Sequence, residues 1–323
     1  MQYREAYKPS SFLANEIESY IAFKINVGYQ RYSFYRELYR FDRFLNERSI
    51  HSGEITYELI DDFIHRKEGR SSASLSNEWQ VLKGFFNYLY DKGYKIPLLQ
   101  NSEISVKRKF IPHIYTKDEI DRYFEAVDHY KSSKSWLPEL QAPIIFRLLY
   151  CCGFRVGECI GIKKKDIDFK LKSIILRKTK LGNERQIFLN DDLTELLRNY
   201  ANKIFYRLKE DDYIFRTRTG NKMTPYLVHK MHKQILEMAN IPFLGNGQGP
   251  RVHDWRHTFA VTSLQMLLNL NISFNKAIIL LSETLGHKNV TATEYYLRLT
   301  AQRFPEIIHN LTQYLELQKH EEN

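Results

Sequence analysis

Cysteine is scarce in this chain. Its 323 residues include only three cysteines, Cys151, Cys152 and Cys159, which lie within nine residues of one another. This spacing suits neither a zinc site nor a framework of disulfides, so the sequence gives no reason to expect either as a source of stability. We interpret the three side chains as buried thiols of a protein that works in a reducing compartment.

Long apolar runs are also missing. The N-terminal stretch MQYREAYKPSSFLANEIESY has no apolar core of signal-peptide length, and no window approaches the uninterrupted run that a membrane span requires. The sequence contains no GxxxxGK(S/T) loop, no carboxylate or Cys/His set suited to a metal ion, and no internal repeat. The absence of a signal peptide and of a membrane span predicts a cytoplasmic protein.

Positive charge, in contrast, is in excess. Lys and Arg number 48 against 38 Asp and Glu, which gives a formal net charge of +10 with both signs interspersed. Local basic patches of this kind suit a polyanionic partner, with nucleic acid as the first candidate, although an ordinary soluble basic protein shows the same balance. The hydrophobic fraction of 43% indicates a globular protein, and the length is sufficient for two domains with their own cores.

The first hundred residues predict a small helical domain. Apolar residues recur at helical spacing in four segments, which start near Leu13, Phe34, Leu59 and Leu75. The second of these helices has a basic face opposite its apolar one. That face carries Arg31, Arg36, Arg40 and Arg43. These arginines either contact the phosphates of a nucleic acid or form a solvated helix surface.

A basic segment separates this region from the rest of the chain. In QNSEISVKRKFIPHIYTKDEI, Pro112 disfavours a continuous helix, and residues 116–119 have the form of a capping box that starts a new one. We place the domain boundary here, between residues 1–110 and residues 111–323. The basic run before it consists of Lys107, Arg108 and Lys109. It either follows a phosphate backbone or only adds solubility.

The second region mixes helices with one predicted hairpin. In SIILRKTKLGNERQIFLN, two short strands, Ser173 to Lys178 and Arg185 to Leu189, flank a turn around Gly182. Helical patterns precede and follow this hairpin, which is predicted to stand alone among them. The predicted fold class is therefore mainly α with a small β-hairpin or sheet (α+β).

Two arginines in this region have a polar residue at helical spacing. In CGFRVGECIGI, Arg155 shares a helical face with Glu158, and in VHDWRHTFA, His253 shares one with Arg256. Alone, the first pair is most simply a surface ion pair, and the second is a motif that occurs by chance in many proteins. Their order along the chain is more specific, because Lys180 in the hairpin lies between them and LGHKNVTATEYYLRL follows them.

This series of segments resembles the tyrosine recombinase (phage integrase) family over most of residues 110–318. CGFRVGECIGIKKKDID is similar to the family's first arginine box, KTKLGNER to its lysine-bearing hairpin and HDWRHTFA to its second box. The LGH motif and the tyrosines after it are similar to the region that leads to the nucleophile. The N-terminal region is similar to the family's core-binding (SAM-like) domain only in size, helicity and placement. The resemblance implies an integrase-type catalytic domain that cleaves and rejoins double-stranded DNA.

The resemblance also implies the catalytic roles. Arg155 and Arg256 would clamp the scissile phosphate, since each arginine can donate paired hydrogen bonds to the charged oxygens. His253 and His287 would add further donors to the same oxygens or manage the proton of the nucleophile, and the division between them stays open. Glu158 would hold the first box in place.

A tyrosine and a lysine perform the covalent chemistry in this family. Tyr296 would attack the phosphorus, form a 3′-phosphotyrosyl ester and free a 5′ hydroxyl, with Tyr295, one residue out of register, as the alternative. Lys180 would protonate the leaving oxygen, with Lys178 as the second choice. His257 would pack behind the site.

The resemblance further implies an assembly. Recombinases of this family join four protomers on two DNA duplexes, so we expect a homo-tetramer, with partner recombinases or accessory proteins as further candidates. The C-terminal segment FPEIIHNLTQYLELQ has an apolar helical stripe, which packs either on its own domain or on a neighbour. The covalent ester keeps the energy of the broken bond, so the family needs neither metal nor ATP. A type IB topoisomerase and a DNA-binding regulator without catalysis are the alternative classes.

Overall fold

The computed structural model describes residues 7–28, 32–51, 55–66, 68–100, 112–132, 135–177, 184–243 and 249–286. The contacts between residues divide the chain into two compact units, Met1–Lys109 and Phe110–Asn323. Among the described residues, no helix combines the length and the apolar character that crossing a membrane would require.

The first unit is a group of four helices. They are α1 (Ala14–Asn26), α2 (Tyr32–Glu47), α3 (Tyr57–His65) and α4 (Ser72–Asp91). The side chains of Thr56 and Ser71 accept hydrogen bonds from backbone N–H groups in the first turns of α3 and α4, which satisfies donors that a helix start leaves open. In the core, Phe41 packs edge-on against Phe63, with the ring centroids 5.1 Å apart. The four predicted helices are confirmed.

The second unit is mainly helical and contains one small sheet. Its helices are α5 (Lys117–Asp128), α6 (Leu137–Cys151), α7 (Val156–Cys159), α8 (Asp191–Ile204), α9 (Pro225–Met238), α10 (Asp254–Asn269) and α11 (Phe274–Leu285). The predicted capping box at the start of α5 is confirmed, because Thr116 and Glu119 each accept the other's backbone N–H. These elements confirm the predicted class of a mainly helical fold with a small β component.

The sheet has three antiparallel strands rather than two. Strand β2 (Ser173–Leu176) pairs with β3 (Arg185–Phe188), as predicted, with Leu176 opposite Arg185 at the end where residues 177–184 join the two strands in sequence. A third strand, β1 (Ile167–Asp168), pairs with the other edge of β2. The prediction that the hairpin stands alone is therefore wrong. Two residues are too few to show the alternation by which a strand is identified.

The core of the second unit surrounds the start of α10. Trp255 is fully buried, and its ring stacks on Tyr115 with the centroids 3.8 Å apart and the planes nearly parallel. The backbone N–H of Tyr115 donates to the hydroxyl of Thr258 at 3.1 Å. The first residues after the predicted linker are thus fixed to the same helix that carries Arg256.

The cysteines do not all lie in the core. Cys152 and Cys159 are buried, whereas Cys151 is exposed at the end of α6. Leu148 and Cys152 lie four residues apart on the buried face of the chain, and successive helical residues are rotated by about 100°, so Cys151 points away from that face. The prediction of three buried thiols is wrong for Cys151.

Candidate active site around a buried glutamate

Glu158 is the centre of a group of arginines in the second unit. Its carboxylate accepts a hydrogen bond from the backbone N–H of Arg155 at 2.9 Å and another from the guanidinium of Arg155 at 2.7 Å. On its other side, Nη2 of Arg185 donates to Oε2 of Glu158 at 2.9 Å. The glutamate side chain is only 4% exposed, so these pairs form out of bulk water. That Glu158 holds the first arginine box for catalysis stays a prediction.

A sharp turn brings Arg155 to this position. Helix α6 ends just before Gly153, which has a φ of +60°, a value that residues with a Cβ rarely adopt. A Cβ atom on Gly153 would overlap the ring of Phe259 in α10. Glycine is therefore required both by the backbone conformation and by the close approach of α10. The turn places Arg155 directly before the short helix α7.

Arg256 reaches the same carboxylate from α10. Its side chain is 1% exposed, and Nη1 lies 3.9 Å from Oε2 of Glu158. The guanidinium donates to two carbonyl oxygens, that of Gly153 at 2.7 Å and that of Leu285 at 2.6 Å. It thereby links the turn before Arg155 to the end of α11. The structure thus brings Arg256 to Arg155 and Glu158, which lie far from it in the sequence.

The charges of this cluster favour an anion. Three guanidinium groups surround one carboxylate, and the surplus is positive. Burial alone would raise the pKa of Glu158, but the N–H of Arg155 and the charges of Arg185 and Arg155 outweigh it and leave this pKa below its ordinary value. The carboxylate is therefore ionised at neutral pH and can orient the guanidinium groups.

His253 lies immediately before α10, with one part of the residue exposed and its ring partly enclosed by the protein. Desolvation of its ring, together with the positive charges of Arg256, Arg251 and Arg155, lowers the pKa of His253 to about 4. The imidazole is therefore neutral at pH 7 and can accept a proton. Its ring meets His257 edge-on at 4.9 Å between centroids, and His257 is buried, as expected for a residue packed behind the site.

Three predicted catalytic residues lie outside the described residues, namely Lys180, His287 and Tyr296, as do the alternatives Lys178 and Tyr295. The residues that flank two of these segments do belong to the cluster. Arg185, five residues after Lys180, contacts Glu158. Gly286, immediately before His287, ends α11 with a φ of +63°, and a Cβ atom there would overlap Nη1 of Arg185.

The predicted DNA contacts on α2 have partners within the first unit. Arg36 and Arg40 form ion pairs with the buried Glu37, at 2.9 Å and 2.8 Å. The guanidinium of Arg43 lies over the ring of Tyr7, 4.8 Å from its centroid. The side chains of Arg36 and Arg40 still remain 46% and 38% exposed. Arg31, Lys107, Arg108 and Lys109 lie outside the described residues.

A cleft of about 340 Å³ begins at Glu158. Its charged lining is mixed, because it includes Asp166 and Glu184 as well as Lys163, Lys165, Arg177 and Lys222. The cleft lies between the α7 region and the β2–β3 hairpin stem. In the part of the chain that the structure describes, no three histidine, cysteine or acidic side chains converge in a way that could hold a metal ion.

Sequence reasoning missed Arg185 as a site residue. From the sequence, Arg185 is predicted only as the first residue of a strand. The sequence does contain a signal for it. Arg185 follows the hairpin turn that carries the predicted catalytic Lys180, and a charged residue so close to that turn is a candidate for the same site. Its partner could not be identified, since Glu158 lies 27 residues away in sequence and is brought close only by the fold.

Comparison with known proteins identifies the family. Residues 114–303 match the phage integrase family. A tyrosine recombinase XerC of Chlorobaculum tepidum is 28% identical over 297 residues, covering 83% of this chain and 84% of that protein. A tyrosine recombinase of Pseudothermotoga lettingae is 26% identical over 278 residues, covering 84% of this chain and 87% of that protein.

Solved structures share the fold. A XerH site-specific recombinase bound to a palindromic difH substrate, in a post-cleavage complex, superposes with a TM-score of 0.65 at 21% identity, covering 85% of this chain and 78% of that one. The Tn1549 transposon integrase in complex with circular intermediate DNA gives a TM-score of 0.62 at 19% identity, covering 87% and 94%. The resemblance inferred from the sequence motifs is confirmed: this chain belongs to the phage integrase family, the tyrosine recombinases that cleave and rejoin DNA.

Proposed function

We propose that this chain recombines DNA at specific sites through a 3′-phosphotyrosyl intermediate, with Arg155 and Arg256 holding the scissile phosphate and Tyr296 attacking it. The observation that carries the proposal is the arrangement of Arg155 and Arg256 around the buried carboxylate of Glu158. As the phenolic oxygen approaches phosphorus, negative charge concentrates on the non-bridging oxygens. Guanidinium groups already oriented by Glu158 and by backbone carbonyls stabilise that charge without reorganising.

The attack forms one bond and breaks another. The phenolic oxygen of Tyr296 bonds to phosphorus, and the bond from phosphorus to the 5′ oxygen breaks, so the protein becomes linked to the 3′ end. The tyrosine proton passes to a histidine or to solvent, and the neutral ring of His253 supports a role as acceptor. His287 is the second candidate, or a further donor to the phosphate.

Lys180 supplies the proton that the departing 5′ oxygen needs. Rejoining is the reverse sequence, in which a 5′ hydroxyl attacks the phosphotyrosyl ester and releases Tyr296. Because the ester conserves the energy of the original bond, the two steps balance without ATP and without a metal ion. The incoming hydroxyl can belong to another duplex, which allows integration, excision, resolution or transposition of a DNA element.

We further propose that the first unit is the core-binding domain. Arg36 and Arg40, which remain partly exposed beside Glu37, are candidates for contacts with phosphates. Arg31, Arg43, Lys107, Arg108 and Lys109 are the other candidates. The DNA-bound state is a homo-tetramer on two sites, with partner recombinases or accessory proteins where the element requires them, and the compartment is the cytoplasm.

Covalent trapping tests this function. Wild-type protein and the Tyr296→Phe variant are incubated with DNA from the source replicon, denatured, and protein-linked ends are sequenced. We expect adducts at 3′ ends with the wild-type protein but not with Tyr296→Phe. The Tyr295→Phe variant, which removes the neighbouring hydroxyl, is the matched control and should form adducts as the wild-type protein does. Adducts with Tyr296→Phe but not with Tyr295→Phe would reassign the nucleophile. Joined products from two sites distinguish a recombinase from a topoisomerase.

A further inference from the structure

Arg185 occupies a position that the catalytic roles described above leave unexplained. It begins β3, and its side chain is 11% exposed. Its two Nη atoms face the carboxylate of Glu158, with Nη2 2.9 Å from Oε2 and Nη1 3.5 Å from Oε1. A second arginine is thus paired with the same carboxylate that orients Arg155.

The two oxygens of Glu158 are shared between these arginines. Oε1 accepts from the guanidinium of Arg155, while Oε2 accepts from the backbone N–H of Arg155 and from Arg185. Removal of Arg185 would leave one side of the carboxylate without its charged donor. Glu158 would then be free to rotate toward Arg155, and the guanidinium of Arg155 would lose its fixed direction.

Arg185 also lies against the end of α11. Its Nη1 fills the space that a side chain on Gly286 would occupy. The adjacent carbonyl, that of Leu285, accepts from Arg256. The sheet, the turn that carries Arg155 and the end of α11 therefore meet at Arg185.

We propose that Arg185 is a positioning residue for strand cleavage: it holds Glu158 from the side of the sheet so that Arg155 faces the scissile phosphate. This inference rests on the proposed role of Arg155 as a phosphate clamp. An arginine is a costly residue to bury for stability alone, since an apolar side chain of similar length often serves as well. Its value here is orientation, so its loss is expected to appear in the chemical step.

Three substrates separate this role from a structural one. They carry the same recombination site with a normal phosphodiester, with a methylphosphonate or with a 5′-bridging phosphorothiolate at the scissile position. The methylphosphonate has no charge for Arg155 to neutralise. The phosphorothiolate has a leaving group that needs no proton. The variants are made in the whole 323-residue chain. They are Arg185→Met, Arg185→Lys and Arg155→Met, with Gln186→Ala as the control, because Gln186 is the next residue of β3 and its side chain donates to Ser173 instead.

We expect Arg185→Met to bind DNA normally but to form covalent adducts about 100-fold more slowly on the phosphodiester, the usual scale for a lost transition-state donor. On the methylphosphonate, the rate of Arg185→Met should come within about tenfold of the wild-type rate, as for Arg155→Met, because the phosphate clamp is then not required. On the phosphorothiolate, Arg185→Met should stay as slow relative to the wild-type protein as on the phosphodiester. Arg185→Lys should recover part of the rate, and Gln186→Ala should match the wild-type protein.

Equal deficits on all three substrates would overturn the proposal and indicate general damage to the fold. Rescue by the phosphorothiolate alone would also overturn it, because Arg185 would then act on the leaving-group proton. An Arg185→Met variant as fast as the active wild-type protein would overturn this inference alone. A wild-type protein that forms no adduct on its own site would overturn the proposed function together with it.

Discussion

Nη2 of Arg256 donates to the carbonyl oxygen of Leu285 at 2.6 Å, which fixes the first turn of α10 to the last turn of α11. The residue after Leu285 is Gly286, and His287 follows it in the chain. One buried arginine therefore fixes Leu285, at the end of α11, relative to the second arginine box.

Substitution of Arg256 tests this link. Arg256→Met leaves the carbonyl oxygens of Gly153 and Leu285 without this donor and removes a positive charge 3.9 Å from Glu158, so we expect the free energy of unfolding to fall by about 3 kcal/mol. Covalent cleavage should fall at least about 100-fold. Urea denaturation and adduct formation measure the two effects. Arg256→Lys keeps the charge but cannot reach both carbonyls, so a lysine variant with the wild-type cleavage rate would contradict this account.

Gly286→Ala should disturb the contact between the sheet and α11. The new methyl group would meet Arg185, which is held by Glu158 and cannot easily move away, at a backbone φ that disfavours any side chain. We expect a loss of about 2–4 kcal/mol in the free energy of unfolding, measured by urea denaturation.

Gly220→Ala is the matched control for this prediction. Gly220 lies in the same unit with a φ of +81°, and a Cβ atom there would come no closer than 3.1 Å to the side chain of Arg216. Gly220→Ala should lower the free energy of unfolding by about 1 kcal/mol, which is the effect of the backbone conformation alone. Equal losses of stability at the two positions would show that the contact with Arg185 adds nothing to the effect of Gly286→Ala.

The stability of the second unit should depend on pH through His232. Its ring is buried and its Nδ1 shares a hydrogen bond with the hydroxyl of Tyr123 at 2.6 Å. Desolvation lowers the pKa of His232 from 6.5 to about 3. The unfolded chain therefore binds this proton more readily than the folded one. The contribution to stability is complete above pH 6.5 and is lost as the pH falls toward 3.

For this one group the loss amounts to about 2 kcal/mol at pH 5 relative to pH 7.5. Urea denaturation at the two pH values measures it. His232→Asn keeps a polar partner for Tyr123 but cannot become charged, so its pH dependence should be weaker by that amount. An unchanged slope in the asparagine variant would show that another group titrates.

The exposed arginines of α2 should contribute to the salt dependence of DNA binding. If Arg36 and Arg40 each contact a phosphate, replacing both with Gln makes the slope of log K against log salt concentration shallower by up to about 2. Arg48→Gln is the control, since Arg48 is equally exposed and also ion-paired, but it pairs with Asp62 of α3. Equal slopes in all three proteins would restrict Arg36 and Arg40 to their ion pairs with Glu37.

Local patterns predicted the helices because the spacing of apolar residues directly reflects which face is buried. The positions of Ile17, Leu38 and Phe63 in the core follow from that spacing. The cluster around Glu158 does not follow from it. Arg155 and Arg256 could be paired only through the resemblance to a family, because the turn at Gly153 and the crossing of α10 are properties of the folded chain.

The lack of a local signal also explains the two wrong predictions, that the hairpin stands alone and that Cys151 is buried. A two-residue strand such as β1 has no periodicity, and a cysteine in an apolar segment gives no sign of which way it faces when the helix ends there. Arg185 was overlooked because its neighbours predict a strand, while its partner Glu158 belongs to a different element. Contacts between distant elements depend on how those elements pack, and a single sequence does not encode that packing as a local pattern.

The shared carboxylate of Glu158 makes its three arginines energetically interdependent. Arg155, Arg185 and Arg256 do not interact with it independently, so the cost of losing one depends on whether the other two are present. Double-mutant cycles among them should give coupling energies well away from zero. A substitution at one of these arginines will therefore change which residues the other two positions tolerate.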